Sequence, residues 1–255
     1  SLMKRILLSF ICSLVFVGVH AAHPAPEKTI HIVSQGWENY AAENCQGYMW
    51  DVVEAVYSSE GYKLKCTIAP YKRGVEMVKR DMADAWVASY KDEQKFAIYP
   101  SWPHDFERTG VIATKDTMKR WLSNDSLNGK KVAFVRGYEL DSYIDNDFQK
   151  IEVNDLKQAM DMVLAGRSDY ASDDADDMNE FLNQNPQYSN KLEVRELFKL
   201  ALYLAFNDST RSRKLISIWD KGLPSLIKNG ALREIYEKAG KAEDYQSYWQ
   251  DYSSP

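Results

Sequence analysis

The sequence predicts an α/β fold. Three observations carry that prediction. Short apolar runs of strand length alternate with stretches of helical periodicity, which is the pattern of α/β proteins. The alternation starts afresh near the middle of the chain. The C-terminal part is helical throughout.

The elements follow in order. Thr29–Val33 is a short apolar strand. Met49, Val52, Val53 and Val56 fall at helical spacing, so Tyr48–Ser59 reads as a helix ended by Gly61. Lys63–Ile68 is a second strand. Val75, Val78 and Met82 mark an amphipathic helix, and Asp84–Ala88 is a third strand. The second unit begins after Thr109–Ala113. Lys130–Val135 is a strand that ends at Arg136 and Gly137. Leu156, Ala159, Met160, Val163 and Leu164 define a helix, with Asn154 or Asp155 available as its cap. Gly166 ends that helix and Asp169–Ser172 is a short strand. Leu200–Phe206 suits a buried strand or a crossing between units. The tail is helical through Leu215, Ile218, Trp219, Leu232, Ile235 and Tyr236, with Pro224 and Gly230 as breaks.

The N-terminus predicts export. Met3, Lys4 and Arg5 are followed by an apolar run from Ile6 to Val19, then by small residues before Ala22. That is the layout of a cleaved signal peptide over residues 1–22. The run is shorter than the ~20 residues of a membrane span. Ser1 and Leu2 before Met3 read as a tag scar. The residues before Cys12 do not form a lipidation box, so a freely diffusing periplasmic product is expected.

Loss of Lys4 and Arg5 takes the formal charge from −5 to −7, which argues against nucleic acid as a partner. Cys45 and Cys66 then remain as an even pair in an oxidising compartment, where a disulfide is expected. Seven Trp and 16 Tyr offer rings that can line a cleft as well as fill a core. The histidines are scattered. No HExxH, CxxC, phosphate-loop or nucleophile-elbow pattern occurs, so no metal, cofactor or catalytic residue is expected.

Four segments resemble family 3 extracellular solute-binding proteins, in the family's order and spacing. They are APYKRGVEMVKRDMADAWVASY (Ala69–Tyr90), LNGKKVAFVRGYELDSY (Leu127–Tyr143), VLAGRSDYASDDAD (Val163–Asp176) and WDKGLPSLIKNGALREIYEKAG (Trp219–Gly240). The resemblance implies a two-lobed periplasmic-binding-protein-like fold of type II, with two hinge-crossing strands and a ligand between the lobes. The first lobe would hold residues 24–112 and 207–255, and the second residues 113–206. The crossings would fall near Ile112–Thr114 and Ala205–Asn207. Closure of the lobes on the ligand would be the working motion.

The resemblance also implies site residues. Trp37 and Tyr40 follow the first strand, where the family sets an aromatic over the ligand. Trp86, Ser89 and Tyr90 lie at and beyond the third strand. Lys95 stands closest to where the amino-acid-binding branch has its carboxylate-gripping arginine, and it lacks the arginine fork. Arg73 opens a helix nearby and offers a second cation. Gly137, Tyr138 and Glu139 occupy the second-lobe anion loop, where Glu139 would repel a carboxylate or else turn to solvent. Asp174 takes the place of the amine-binding aspartate.

Rings and carboxylates without an arginine favour an amine-bearing or neutral polar ligand over an ordinary α-amino acid. The expected activity is solute binding without catalysis, by a monomer whose partners are a small-molecule ligand and a membrane ABC permease. Two alternatives stay open: a periplasmic dehydratase of the cyclohexadienyl type on the same scaffold, and a sensor-linked binding module.

Overall fold

A computed structural model describes residues 28–136 and 140–252. Residues 1–27, which include the segment expected to be a signal peptide, and Gly137, Tyr138 and Glu139 lie outside the described residues.

The chain alternates as the periodicity predicts. It runs β1 (Lys28–Ser34), α1 (Tyr48–Ser58), β2 (Tyr62–Ile68), α2 (Tyr71–Lys79), β3 (Ala85–Ser89), β4 (Ala97–Ile98) and β5 (Asp105–Thr114). After these come α3 (Lys115–Met118), β6 (Lys131–Val135), β7 (Gln149–Val153), α4 (Leu156–Leu164), β8 (Tyr170–Asp174), α5 (Ala175–Gln184) and α6 (Pro186–Ser189). The strand β9 (Leu192–Asn207) leads into α7 (Thr210–Lys228), α8 (Ala231–Lys238) and α9 (Ala242–Trp249).

One sheet threads the molecule in the order β2-β1-β3-β9-β5-β8-β6-β7, with β4 also on β9. Parallel pairs (β1 with β2 and β3, β6 with β7 and β8) sit at the two ends. The long antiparallel pair β5–β9 joins them, running from Asp105↔Leu202 to Thr114↔Leu192. A strand as long as β9 serves two masters. Its last residues pair with β3, and its earlier part pairs with β5.

The apolar side chains gather into separate cores. One contains Ile30, Ile32, Met49, Val52, Val53, Leu204, Phe206, Leu215, Trp219 and Tyr236. A flanking cluster holds Val33, Val75, Val78 and Trp86. On the other side of the β5–β9 pair, Ile112, Ala133, Met160, Val163 and Met178 form one cluster, and Val111, Val132, Phe134 and Leu127 another. Core membership changes between Phe106 and Val111 on β5, and between Leu200 and Leu204 on β9. Both changes fall a few residues before the crossings expected from the sequence.

Helix α1 buries the predicted Met49, Val52, Val53 and Val56, together with Trp50 and Tyr57. Asp155 supplies the α4 cap, its carboxylate accepting from the Gln158 amide at 2.8 Å. Pro224 does not break the tail: α7 continues through it to Lys228. The stripe Leu215, Trp219 and Leu223 is fully buried against the first core, and that packing outweighs the missing amide. Gly230, at φ 82°, is the true break. Cys45, in the turn before α1, is bonded to Cys66 on β2 as expected. Among the described residues no helix is long and apolar enough to cross a membrane.

Candidate functional site

A cleft of about 600 Å³ opens between the two groups of cores. The first-core side contributes Gln35 and Trp37 after β1, Tyr48 from α1, Tyr90 after β3, and Lys241, Asp244 and Tyr248 around α9. The second-core side contributes Val135 at the end of β6, Asp155 and Leu156 at the start of α4, and Asp173, Asp174 and Asp177 where β8 turns into α5. Asp105 and Glu107 reach it from β5. Parallel strands place their carboxyl ends at this opening, where open α/β sheets receive ligands.

The floor is Asp105, only 3% exposed. Tyr236 donates its hydroxyl to the Asp105 carboxylate at 2.7 Å, and Trp249 donates its indole N–H to Tyr236 at 3.2 Å. Beside them His104 is fully buried. Its Nε2 accepts the Ala88 amide at 2.9 Å, which leaves the ring proton on Nδ1, 3.4 Å from the Tyr40 hydroxyl. Burial holds the His104 ring neutral, lowering its pKa to about 3. Burial also pushes Asp105 up to about 7, against hydrogen bonds from Tyr236, the Phe106 amide and Tyr40. Among the described residues no lysine, arginine or histidine forms an ion pair with Asp105.

The opposite wall is also acidic. The Asp174 carboxylate caps α5 by accepting the Asp177 amide at 2.9 Å, and Asp173 accepts the Asp174 amide at 2.8 Å. Burial, then the Asp177 and Glu107 charges, raise Asp174 to about 8. Burial raises Asp173 to about 6. Glu107 is raised by burial too, although it accepts the Tyr90 hydroxyl at 2.6 Å. Carboxylates that must share a cleft without a counter-ion resist ionising together.

Of the residues expected at the site, the structure brings Trp37, Tyr40, Tyr90 and Asp174 to the cleft. Trp37 packs edge-on against Tyr40 at 5.9 Å, and Tyr90 meets Tyr143 from the far wall at 5.2 Å. Trp86 does not reach the cleft. Its side chain points to the other face of β3, where it is 1% exposed, lies tilted against Phe96 at 5.9 Å and donates to the Tyr71 hydroxyl at 3.1 Å. Ser89 is buried behind the wall, donating to the Tyr90 carbonyl and to Glu93. Arg73 and Lys95 are exposed and line no part of the cleft, because their backbone positions face solvent. Gly137, Tyr138 and Glu139 lie outside the described residues.

Sequence reasoning missed Asp105, Glu107, Tyr48, Asp173, Asp244 and Tyr248. A signal existed for two pairs. Asp105 and Glu107 alternate on one strand, and Asp244 and Tyr248 are four apart on one helix.

No protein-family model and no curated protein matches this sequence. Solved structures do match. The Bacillus subtilis protein YckB is similar at TM-score 0.63 and 17% identity, over 86% of this chain and 92% of its own. The L-cystine solute receptor of Neisseria gonorrhoeae, in its unliganded open conformation, gives 0.60 and 17%, over 86% and 95%. AbpA of Streptococcus pneumoniae, an amino acid ABC transporter substrate-binding protein bound to L-arginine, gives 0.57 and 16%, over 85% and 96%. On this evidence the chain has the two-lobed α/β fold of the periplasmic solute-binding proteins.

Proposed function

We propose that this protein is a periplasmic solute-binding protein that captures a small amine-bearing organic compound between its lobes and presents it to a membrane permease. The observation that carries the reading is the charge of the cleft. Its described lining holds eight carboxylates and a single lysine, Lys241. Lys241 is itself 3.7 Å from Asp244. A cation entering this cleft gains charge-assisted hydrogen bonds and ring faces. An acidic substrate of the kind a cyclohexadienyl dehydratase needs would meet repulsion from these carboxylates, so binding without catalysis is the better reading.

The lobes in this reading divide where core membership changes. The first runs from β1 to the middle of β5 and resumes in the last third of β9. The second lies between. The signal peptide read from the sequence would deliver the chain to the periplasm, where it would work as a monomer.

The test is a thermal-shift screen of the mature protein against primary amines, neutral α-amino acids and organic acids at pH 8. Amines should raise the melting temperature and acids should not. Stabilisation by an organic acid, with none by any amine, would refute the reading.

A further inference from the structure

The carboxylates of the cleft are not scattered. Asp105 and Glu107 are alternate residues of β5 and so share a face of that strand. Two residues on, Thr109 continues the face, and it sits directly opposite Asp174 in the β5–β8 register. A strand rises ~3.3 Å per residue, which sets the three carboxylate levels about 7 Å apart and the outer two about 13 Å apart. The row has two poles. Asp244 joins Asp105 at one end of the lining, and Asp173 and Asp177 join Asp174 at the other. Glu107 stands between them.

Three further observations narrow what fits. Among the described residues no set of three His, Cys, Asp or Glu converges to hold a metal ion, so the row does not describe one compact divalent cation. No lysine or arginine among them pairs with Asp105, Glu107, Asp173, Asp174 or Asp177, while Arg108 is committed to Asp176, Asp244 and Glu196. Thr109 Oγ1, on the row's own face, is a buried side-chain oxygen without a hydrogen-bond partner among the described residues. The remaining wall is rings and aliphatic groups, including Trp37, Tyr90, Val135 and Leu156. Such a wall suits methylene groups and accepts cations on its ring faces.

We infer that the ligand is a linear diamine or longer polyamine: at least two ammonium groups separated by a methylene chain, with no carboxylate. The inference rests on the amine-binding reading above and sharpens it. A chain of five methylenes places two ammonium groups roughly 7–8 Å apart when extended, which spans adjacent levels of the row at its ~3.3 Å rise per residue. Longer polyamines reach both poles. A ligand carboxylate would have no described cation to receive it apart from Lys241.

Three matched probes separate the possibilities by calorimetry on the mature protein at pH 8. They are 1,5-diaminopentane, 1-aminopentane, which lacks the second ammonium, and L-lysine, which adds a carboxylate to the diamine. The diamine should bind at least about tenfold tighter than either of the others, a difference of one decade in Kd. Its affinity should also fall about twice as steeply with log salt as that of 1-aminopentane, because two charges are screened. Asp174→Asn should bring the diamine close to the monoamine. Equal binding of diamine and monoamine would overturn the inference and leave the amine-binding reading standing, and so would tighter binding of L-lysine. Absence of binding by all three would overturn both. The wild-type comparison needs no variant to fold.

Discussion

The Tyr236 hydroxyl donates to Asp105 at 2.7 Å beneath the cleft, and this hydrogen bond does the work that a counter-ion would otherwise do. A phenol stabilises a buried carboxylate only in part, so burial still raises Asp105 to about 7, and Asp174 across the cleft to about 8. Both groups hold more protons folded than unfolded. Stability therefore falls as pH rises from the ordinary carboxylate range, about 4, through these folded values. The groups facing Asp105 include Tyr236, Tyr40, Tyr48, Tyr248 and Asp244, and those facing Asp174 include Asp177, Glu107 and Asp176; none of these is a cation. The neutral, buried His104 works the other way up to about pH 6.5, so melting temperatures of the ligand-free protein should decline most clearly between about pH 6.5 and about pH 8, and Asp174→Asn should flatten the decline. Binding of an amine releases those protons, so its affinity should rise over the same window. A flat affinity profile would contradict the assignment.

Trp37 and Trp86 separate binding from stability. Trp37 is half-buried at the cleft and touches Tyr40, whereas Trp86 fills a core. Trp86→Ala should cost about 3–5 kcal/mol in chemical denaturation. Trp37→Ala should cost less than about 1 kcal/mol of stability and weaken the amine by roughly tenfold, the worth of a desolvated ring–cation contact. Equal effects of the two on binding would place Trp86 in the site after all.

The contrast between these rings also shows what the sequence can and cannot disclose. Strand and helix existence was legible because Val52, Val53 and Val56 or Leu156, Met160 and Val163 repeat with helical period, and their burial follows. That Asp174 and Tyr90 line the cleft was legible because they sit at fixed offsets within segments that resemble a known family. Trp86 was not, since adjacent strand residues face opposite sides and offset alone does not tell which side is the cleft. Asp105 stayed hidden for another reason. Its meaning comes from Tyr236 and Asp244, more than a hundred residues away, and only the fold brings them together. Pro224 misled because propensity is local while the burial of Leu215, Trp219 and Leu223 is tertiary.

Gly47 shapes the cleft from behind. It has φ 119°, and a Cβ there would lie 2.3 Å from the Tyr40 carbonyl oxygen. The backbone of Tyr40 cannot yield without moving its ring from the cleft. Gly47→Ala should therefore destabilise the fold by at least about 1–3 kcal/mol and weaken ligand binding as well. Loss of stability with unchanged affinity would show that the turn and the site are independent.

The Cys45–Cys66 bond closes a loop of 21 residues that includes α1. Cross-linking a loop of this length removes unfolded-state entropy worth about 3 kcal/mol. Reduction, or Cys45→Ser with Cys66→Ser, should lower the unfolding free energy by a matching amount and the denaturation midpoint with it, with a slope that rises as the unfolded chain expands. An unchanged midpoint would mean that the turn before α1 is held by packing alone.

Arg108 is the residue whose replacement should loosen the two halves from each other. It lies on β5 between the cores, and its guanidinium reaches Asp176 on α5 at 3.0 Å and Asp244 on α9 at 2.5 Å, with Glu196 on β9 at 3.7 Å. It also lies over the Tyr248 ring at 5.0 Å. Helix α5 packs through Met178 and Leu182 on the second core, and α9 through Tyr245 and Trp249 on the first. The fork thus spans the cleft, and Arg108 and Asp244 are only 19% and 15% exposed, which limits screening by water. Arg108→Gln leaves Asp244 with the longer Lys241 contact alone and should cost about 1–3 kcal/mol, less than a fully buried pair because Asp176 is half in solvent. Arg108→Lys should rescue only part of this loss, since an ammonium is a single point charge that cannot bridge two carboxylates as the planar fork does. Small-angle scattering should show a larger radius of gyration for the ligand-free Gln variant, returning to the wild-type value when an amine is bound. Identical scattering for ligand-free Gln variant and wild type would show that the β5–β9 strands alone set the angle between the lobes.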